Sequence, residues 1–350
     1  MAYTVIDNPT SFFNTVLYTG NASTNAITGV GFQPDWVWLK RRDGTGNHNL
    51  YDAVRGATKY LESSSTAPDQ TQSAGLTAFD SDGFTLGSNT NMNGSSNSYV
   101  SWNWSAGTGQ GSSNTDGTIN TTYTSVNTTA GFSISKFTGT GSAATVGHGL
   151  GAVPKMYMVK NITTNSLQWR VYHASLGATK HLALEATQAE GTASSVFNNT
   201  EPTSTVFSIG TDNGSNKSGD SHVAYCFAEV KGYSKFGSYT GSGNADGAFI
   251  YTGFKPSLTI HKRTDTAGSY WRIFDNKRST SGKNVIDKRI FPQAAEAEDT
   301  AAAIDFCSNG FKMRGTSGAE NASGGTYIYM AFAEEPLVAN VGNSIPATAR

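Results

Sequence analysis

Three acidic or basic residues recur at matching places along this chain and are its first candidates for chemistry. Asp52 and Asp275 each end a short aromatic strand pattern, and His173 ends the corresponding pattern between them. Two carboxylates about 5–9 Å apart in a groove could act as acid and base in glycoside hydrolysis. Because the middle copy has a histidine, a catalytic carboxylate pair is not supported.

Two tryptophans on one predicted strand, Trp36 and Trp38, are further candidates, because flat rings can stack on sugars or bases. The same strand pattern returns twice, with these residues in place of the tryptophans: Met156 and Met158, then Leu258 and Ile260. Stacking needs an aromatic ring, whereas burial needs only an apolar side chain. The tryptophans are therefore predicted to be core residues. On the opposite face of this strand the third copy has Thr259 and His261, which predicts a wetter surface there.

Metal and thiol chemistry has little support in the sequence. The run from Asp80 to Gly83 begins like a calcium loop, but it lacks the later acidic ligands and the third copy has Cys307 at its start. The run is therefore predicted to be a turn. Cys226 and Cys307 make neither a disulfide framework nor, alone, a metal site. Both are predicted to be buried, inert thiols.

Sequence motifs of known catalytic sites are absent. The 6 histidines are scattered without ligand spacing, and no G-x-S-x-G, P-loop, dinucleotide fingerprint, H-E-x-x-H or C-x-x-C stands in a fitting context. No polar constellation is recognised in all three copies. The sequence therefore predicts no catalytic, cofactor-binding or metal-binding residues and no enzyme activity. It leaves the residues that bind any ligand unidentified.

The elements that carry these residues occur three times. Each copy has a Gly/Pro turn and an apolar strand that ends on a lysine six residues after the proline: Lys40, Lys160 and Lys262. An aromatic strand, a further turn, a hairpin and a closing aromatic strand follow. Short strands at such spacing, in units of about a hundred residues, are typical of β-sandwiches. The lysines are predicted to be surface charges at strand ends near the acids, in pairs worth about 0–1 kcal/mol.

The predicted architecture is all-β, with three tandem repeats of a jelly-roll or concanavalin-like sandwich. The predicted segments are residues 1–106 (repeat 1), 107–128 (a Gly/Ser/Thr-rich linker), 129–231 (repeat 2), 232–338 (repeat 3) and 339–350 (a C-terminal tail). The linker either lets repeat 1 hinge or lies ordered across a neighbour. Repeats 2 and 3 are joined almost directly, and a helical turn is predicted over residues 294–298.

Composition narrows the possible partners. Charged residues are 15% of the 350, against a usual figure of about 25%, and 39 residues are glycine, which suits β-structure with many turns. The net charge of −1 gives no electrostatic case for nucleic acid or an anionic membrane. No apolar run approaches the roughly 20 residues of a membrane span, and the first residues lack the regions of a signal peptide. We therefore expect a soluble protein that is synthesised in a cytoplasm, without a nucleic-acid or membrane partner.

Several runs also carry a resemblance to a known family. They are residues 35–41, 54–59, 79–84, 225–230, 232–241 and 331–334. Together they resemble a repeat family abundant in marine tailed bacteriophages, whose members are described as virion structural or tail-fibre-like proteins. The resemblance covers most of the chain. It implies a virion component, made in the host cytoplasm, and carries over no catalytic residues.

Three functions remain open at this point. The first is a virion-surface structural protein (a tail-fibre tip, tail accessory or capsid decoration) that assembles with other virion proteins and with itself, for example as a trimer. Three copies in one chain could instead supply a pseudo-threefold within a monomer. The second is a module that binds host-surface glycans through the polar loops 63–74 and 188–204, since binding residues often lie on such loops. The third, a polysaccharide depolymerase, has no carboxylate pair in its favour.

Overall fold

The computed structural model describes residues 4–107, 109–280 and 284–338, and β-strands dominate these residues. The prediction of an all-β sandwich architecture is confirmed. We call residues 4–107, 109–231 and 232–338 units 1, 2 and 3. The predicted tail, residues 339–350, lies outside the described residues.

The strands are short and most lie in antiparallel sheets, with α-helices of one turn between some of them. Unit 1 contains a 3₁₀ turn (Pro9–Ser11), β1 (Phe13–Thr19), β2 (Asn25–Ile27), β3 (Trp36–Arg41), β4 (Asn49–Asp52), β5 (Lys59–Leu61), β6 (Gln70–Thr71), β7 (Leu76–Asp80), β8 (Gly83–Leu86), α1 (Thr90–Asn93) and β9 (Ser98–Trp104). Unit 2 contains β10 (Tyr123–Asn127), β11 (Phe132–Thr138), β12 (Ala144–Gly147), β13 (Pro154–Asn161), β14 (Arg170–His173), β15 (Lys180–His181), β16 (Gly191–Thr192), α2 (Ser194–Phe197), β17 (Val206–Ile209), α3 (Asn213–Asn216) and β18 (Ser221–Ala228). Unit 3 contains β19 (Ser234–Thr240), β20 (Phe249–Tyr251), β21 (Phe254–Arg263), β22 (Arg272–Asp275), β23 (Ile286–Arg289), β24 (Asp299–Cys307), β25 (Gly310–Met313), α4 (Gly318–Asn321) and β26 (Thr326–Pro336).

Each unit has an inner sheet with the same order of four strands. The orders are β1-β9-β3-β4, β11-β18-β13-β14 and β19-β26-β21-β22. The registers also correspond, since Trp38 lies opposite Trp102, Met158 opposite Tyr225, and Ile260 opposite Met330. The glycine three residues before each proline has a positive φ (Gly31 +89°, Gly151 +69° and Gly253 +83°), a conformation that glycine adopts without strain.

An outer sheet covers each inner sheet, and it is smaller than the inner sheet in units 1 and 2. These outer sheets are β2-β8-β7, β12-β17 and β20-β25-β24-β23. The hairpin predicted in each copy, at residues 79–84, 206–210 and 306–311, is confirmed in units 1 and 3 as β7–β8 and β24–β25. In unit 2 the corresponding strand β17 pairs with β12 instead.

The inner sheets are buried on both faces, which explains their lack of apolar/polar alternation. One face packs on the outer sheet of its own unit, and the other faces a single core shared by all three units. Trp36 shows the sharing, because its ring centroid lies 4.5 Å from Trp104 of unit 1 and 4.8 Å from Tyr225 of unit 2. Trp104 in turn lies 5.7 Å from Phe332 of unit 3. Trp36 and Trp38 are fully buried, as predicted.

Two local predictions are corrected by the structure. Of the predicted linker, residues 107–128, the last part forms β10, which pairs with β11 and extends the inner sheet of unit 2. The linker also starts in a fixed position, because the Asp35 carboxylate accepts hydrogen bonds from the backbone N–H groups of Ala106 and Gly109 at 2.7 and 2.8 Å. Residues 294–298 form no helical turn and lie against unit 1, where Glu298 donates its N–H to the carbonyl of Arg42.

Candidate functional site

The matching residues Asp52, His173 and Asp275 lie on three different seams, where the edge of one unit meets the next. Asp52 of unit 1 accepts a hydrogen bond from the Tyr225 hydroxyl of unit 2 at 2.6 Å. His173 of unit 2 bonds through Nε2 with the Tyr329 carbonyl of unit 3 at 3.1 Å. Asp275 of unit 3 accepts from Trp102 Nε1 of unit 1 at 2.9 Å, which closes the cycle. These groups therefore join the units in a ring, and each is buried.

A buried arginine completes the seam between units 1 and 2. Arg55 lies three residues after Asp52 and pairs with it at 2.5 Å (Nε to Oδ2). Its Nη1 also pairs with Asp69 at 2.6 Å, and its Nη2 donates to the Leu50 carbonyl at 2.8 Å. The guanidinium thus has three acceptors in the dry interior, which offsets much of the cost of burying its charge.

The seam between units 3 and 1 repeats this arrangement. Arg278 pairs with Asp275 at 2.6 Å and with Glu298 at 3.0 Å, and donates to the Ile273 carbonyl at 3.0 Å. The sequence contains a signal for this bridge, an arginine three residues after each matching aspartate, but the signal is interrupted in unit 2, which has Leu176 at that position.

Backbone hydrogen bonds close the same ring at corresponding residues. Asp69 N–H donates to the Ile162 carbonyl (3.2 Å), Glu190 N–H to Thr264 (2.9 Å), and Glu298 N–H to Arg42 (2.8 Å). Each acceptor stands two residues after one of the repeated lysines. Parts of the two loops predicted to bind glycans, residues 63–74 and 188–204, are thus engaged between units. Within the first loop Ser63 is buried and donates to the Pro292 carbonyl of unit 3 at 2.6 Å.

The repeated lysines are buried, so the prediction of surface charges at strand ends is wrong. Lys160 Nζ donates to the carbonyls of Leu167 (2.6 Å) and Thr66 (3.0 Å), and Lys262 Nζ to that of Ser269 (2.9 Å). Lys40 Nζ donates to its neighbour Arg41 at 2.6 Å. The loops of neighbouring units cover these strand ends, and burial lowers the pKa of each lysine to about 8.

The prediction of a wetter face in the third copy is also wrong, because Thr259 and His261 are fully buried. His261 Nε2 lies 2.8 Å from the Thr259 hydroxyl, and its Nδ1 lies 3.3 Å from the Tyr239 hydroxyl. Burial lowers the pKa of His261 to about 3, so the ring is neutral at physiological pH.

One polar constellation is retained in all three units and was missed in the sequence. Asn93, Asn216 and Asn321 end the short helices α1, α3 and α4, and their side chains bind loop backbone in the same way. Each Nδ2 donates to two carbonyls, and each Oδ1 accepts a backbone N–H at 2.8–3.0 Å. These asparagines join the loop after β1, β11 or β19 to the segment before the short helix of the same unit, so their role is structural.

The seam between units 2 and 3 differs from the other two, because Leu176 stands in place of the arginine. Glu190, which corresponds to Asp69 and Glu298, pairs instead with Lys180 of its own unit at 2.9 Å. A cavity of about 370 Å³ lies at this seam. A second open cavity, of about 440 Å³, lies within unit 3. Leu176 and Glu190 line the seam cavity together with hydroxyl-bearing residues of unit 3.

The cavity within unit 3 is lined by charged residues at the outer sheet. Arg289 pairs with Glu320 at 2.8 Å and with Asp299 at 2.6 Å, and Arg314 stands at the rim. Among the described residues, no group donates a hydrogen bond to Glu320 Oε2. The charges here are mutually compensated, so the cavity has no strong preference for ions of one sign.

The described part of the chain contains no metal site, and its two cysteines form no disulfide. Asp80 pairs with Gly83 across the turn between β7 and β8, as predicted, and the Asp82 carboxylate accepts the backbone N–H groups of Gly29 and Gly31 at 3.0 and 2.7 Å. In residues 4–107, 109–280 and 284–338, no group of three or more His, Cys, Asp or Glu side chains could hold a metal ion. Cys226 is buried and burial raises the pKa of its thiol, whereas Cys307 is half-buried.

No helix in the described residues is long and apolar enough to cross a membrane.

Comparison with known proteins adds one finding. A single family model, described as "Domain of unknown function (DUF7483)", matches residues 8–336 and therefore extends over all three units. Searches of curated proteins and of solved structures found no match. Because the model covers most of the chain, this protein belongs to the DUF7483 family.

Proposed function

We propose that this protein is a structural component of a bacteriophage virion surface, such as a tail-fibre tip, a tail accessory or a capsid decoration. The observation that carries the proposal is that the matching polar residues of the three units are buried and bonded to neighbouring units. Asp52, His173 and Asp275 are buried, and their polar atoms bind neighbouring units. Groups that are desolvated and occupied in this way serve rigidity, since a general acid or base must be able to reach its substrate.

The shared core supports the same proposal. Three inner sheets enclose one set of apolar side chains, and hydrogen bonds link the units in a closed cycle. One chain therefore forms a single rigid body with a pseudo-threefold arrangement. Such a body can take a place on a particle without assembling with further copies of itself. The resemblance to marine phage virion proteins points in the same direction.

An exposed aromatic pair offers a contact for a virion partner. Phe249 and Tyr251 lie on β20, an edge strand of the outer sheet of unit 3, and are 47% and 56% exposed. Large apolar groups that are exposed at the edge of a sheet favour association with another protein.

The test uses the phage whose genome encodes this chain. Particles purified through a density gradient should contain the protein in a fixed stoichiometry by mass spectrometry, and gold-labelled antibody should place it at one position on the particle. Replacing Phe249 and Tyr251 together by glutamate should reduce incorporation, whereas Leu17→Glu, at another exposed apolar residue on an edge strand, should not. Purified particles without the protein would refute the proposal.

A second function, binding of a host-surface glycan, is favoured by the cavity between units 2 and 3. It would make the protein part of the adsorption apparatus rather than a purely structural part. A glycan array and an adsorption-competition assay with the pure protein test it, and two negative results would exclude it.

A further inference from the structure

The three seams allow an internal comparison of what fills the space beside each matching residue. In two seams a guanidinium occupies it, held by an aspartate three residues earlier and by an acid of the following loop. In the seam between units 2 and 3, Leu176 has replaced the arginine and His173 the aspartate. The shorter, uncharged leucine cannot reach Glu190. The cavity of about 370 Å³ lies at this position.

The lining of this seam cavity is rich in hydroxyl groups and poor in charge. Ser175, Ser238 and Thr240 line it with hydroxyl-bearing side chains, and Glu190 lines it with a carboxylate. Thr264 also lines it, with a hydroxyl that is bonded to the Thr326 hydroxyl at 3.1 Å. Lys180 lies 2.9 Å from that carboxylate and compensates its charge. Leu176 adds an apolar surface. The volume falls within the range of about 300–1,000 Å³ found for small-molecule sites.

This chemistry selects among possible ligands. A phosphate, sulfate or carboxylate group would need a guanidinium or a free cation, and the arginine that two other seams carry is the group missing here. A cationic ligand would have to compete with Lys180 for Glu190. A neutral ring with several hydroxyls fits both constraints, because each of its hydroxyls can donate to one lining oxygen and accept from another. Its C–H face could rest on Leu176.

We propose that the cavity between units 2 and 3, bounded by Leu176, Glu190, Ser238 and Thr240, binds one neutral monosaccharide unit of a glycan. This inference rests on the second proposed function and gives it a site. It is independent of where the protein lies on the particle. Of the two loops predicted to bind glycans, residues 188–204 supply Glu190, whereas the corresponding part of residues 63–74 lies at a seam that Arg55 fills.

The test uses the full-length protein and the methyl glycosides of glucose, galactose, mannose and N-acetylglucosamine. Saturation-transfer NMR should detect at least one of them, with a Kd of about 1 mM or tighter. Backbone amide shifts should then change at Ser238 and Thr240. If none of the four glycosides binds, the inference fails.

Two substitutions locate the site. Leu176→Arg restores the residue that the other two seams carry and should fill the cavity, weakening binding at least tenfold. Thr316→Arg fills the charged cavity within unit 3 and should leave binding unchanged. The opposite pattern would refute the assignment. If Leu176→Arg fails to fold, as judged by its melting curve, Thr240→Trp at an exposed cavity position tests the same point.

Glu190→Gln tests the role of the carboxylate without changing the shape of the cavity. We expect it to weaken binding several-fold, since the amide accepts fewer hydrogen bonds than a carboxylate. Binding that is unaffected by both Glu190→Gln and Leu176→Arg would place the sugar elsewhere. A sugar that binds pure protein while the protein is missing from purified particles would uphold this site and refute the virion proposal.

Discussion

The seam between units 1 and 2 permits a direct test of the charge bridge, because the chain itself contains an uncharged version of it. Arg55→Leu should leave Asp52 buried with only the Tyr225 hydroxyl and one backbone N–H as donors. Removing one member of a buried ion pair typically costs about 3–5 kcal/mol. Because these two donors remain, we expect a loss of about 3 kcal/mol in the free energy of unfolding.

The double variant Asp52→His/Arg55→Leu copies the His173 and Leu176 pair of unit 2 into this seam. It removes both charges together, and such replacements are often neutral. We expect it to unfold within about 1 kcal/mol of the original protein, which gives a coupling of about 2 kcal/mol or more between the two positions. Asp52→His alone should be strongly destabilising, since it brings an imidazole next to Arg55.

Urea denaturation at pH 7 measures these differences, as long as the slope with denaturant stays constant. Arg41→Leu is the matched control, because Arg41 pairs with Asp43 at 2.8 Å but both side chains are about a third exposed. Exposed pairs contribute about 0–1 kcal/mol. If Arg55→Leu is no more damaging than Arg41→Leu, or if the double variant is as unstable as the two single losses combined, the reasoning is wrong.

Three further predictions follow from burial. Between about pH 8 and pH 10 the unfolded chain holds more protons on Lys40, Lys160 and Lys262 than the folded chain, whose lysine pKa values lie near 8, so these three residues should contribute a positive slope of the free energy of unfolding against pH. Replacing one of the three by methionine should reduce that slope in pH-dependent urea titrations, and an unchanged slope would contradict the assignment. The shared core should make all three units unfold in one transition, with calorimetric and van't Hoff enthalpies in agreement, whereas two or three separate transitions would contradict a common core. A thiol reagent should modify Cys307 in the native protein and Cys226 only after unfolding, as peptide mapping can show, and early labelling of Cys226 would refute its burial.

Internal comparison of the copies predicted the core well and the seams poorly. Trp36 and Trp38 were assigned correctly, because the apolar residues at the matching positions already show that burial is the common requirement. Lys40 was assigned wrongly, because a strand that ends in lysine has the same pattern whether water or a neighbouring loop covers it. The covering loop comes from unit 3, more than two hundred residues away in the chain.

The retained asparagines show a signal that was present but overlooked. Asn93, Asn216 and Asn321 each stand six residues before the first aromatic or histidine residue of the closing strand. A serine also stands two residues after each of them (Ser95, Ser218 and Ser323), so the copies share a spaced motif although the residues between its members differ. The seam cavity had no such signal, since a space left by Leu176 becomes apparent only when the three seams can be compared in three dimensions.

The closed cycle of seams has a consequence for how the protein is made. The seam between units 3 and 1 joins residues about 256 positions apart, such as Arg42 and Glu298, whose side chains pair at 3.0 Å. At a synthesis rate of about 5–20 residues per second, the partner segment of unit 1 is made about 10–50 seconds after unit 1 itself. In that interval the apolar face that carries Trp36 and Trp104 is exposed, and nascent chains in this state are prone to aggregate. We therefore expect yield to depend on temperature and on chaperones during expression, even though the finished protein is rigid.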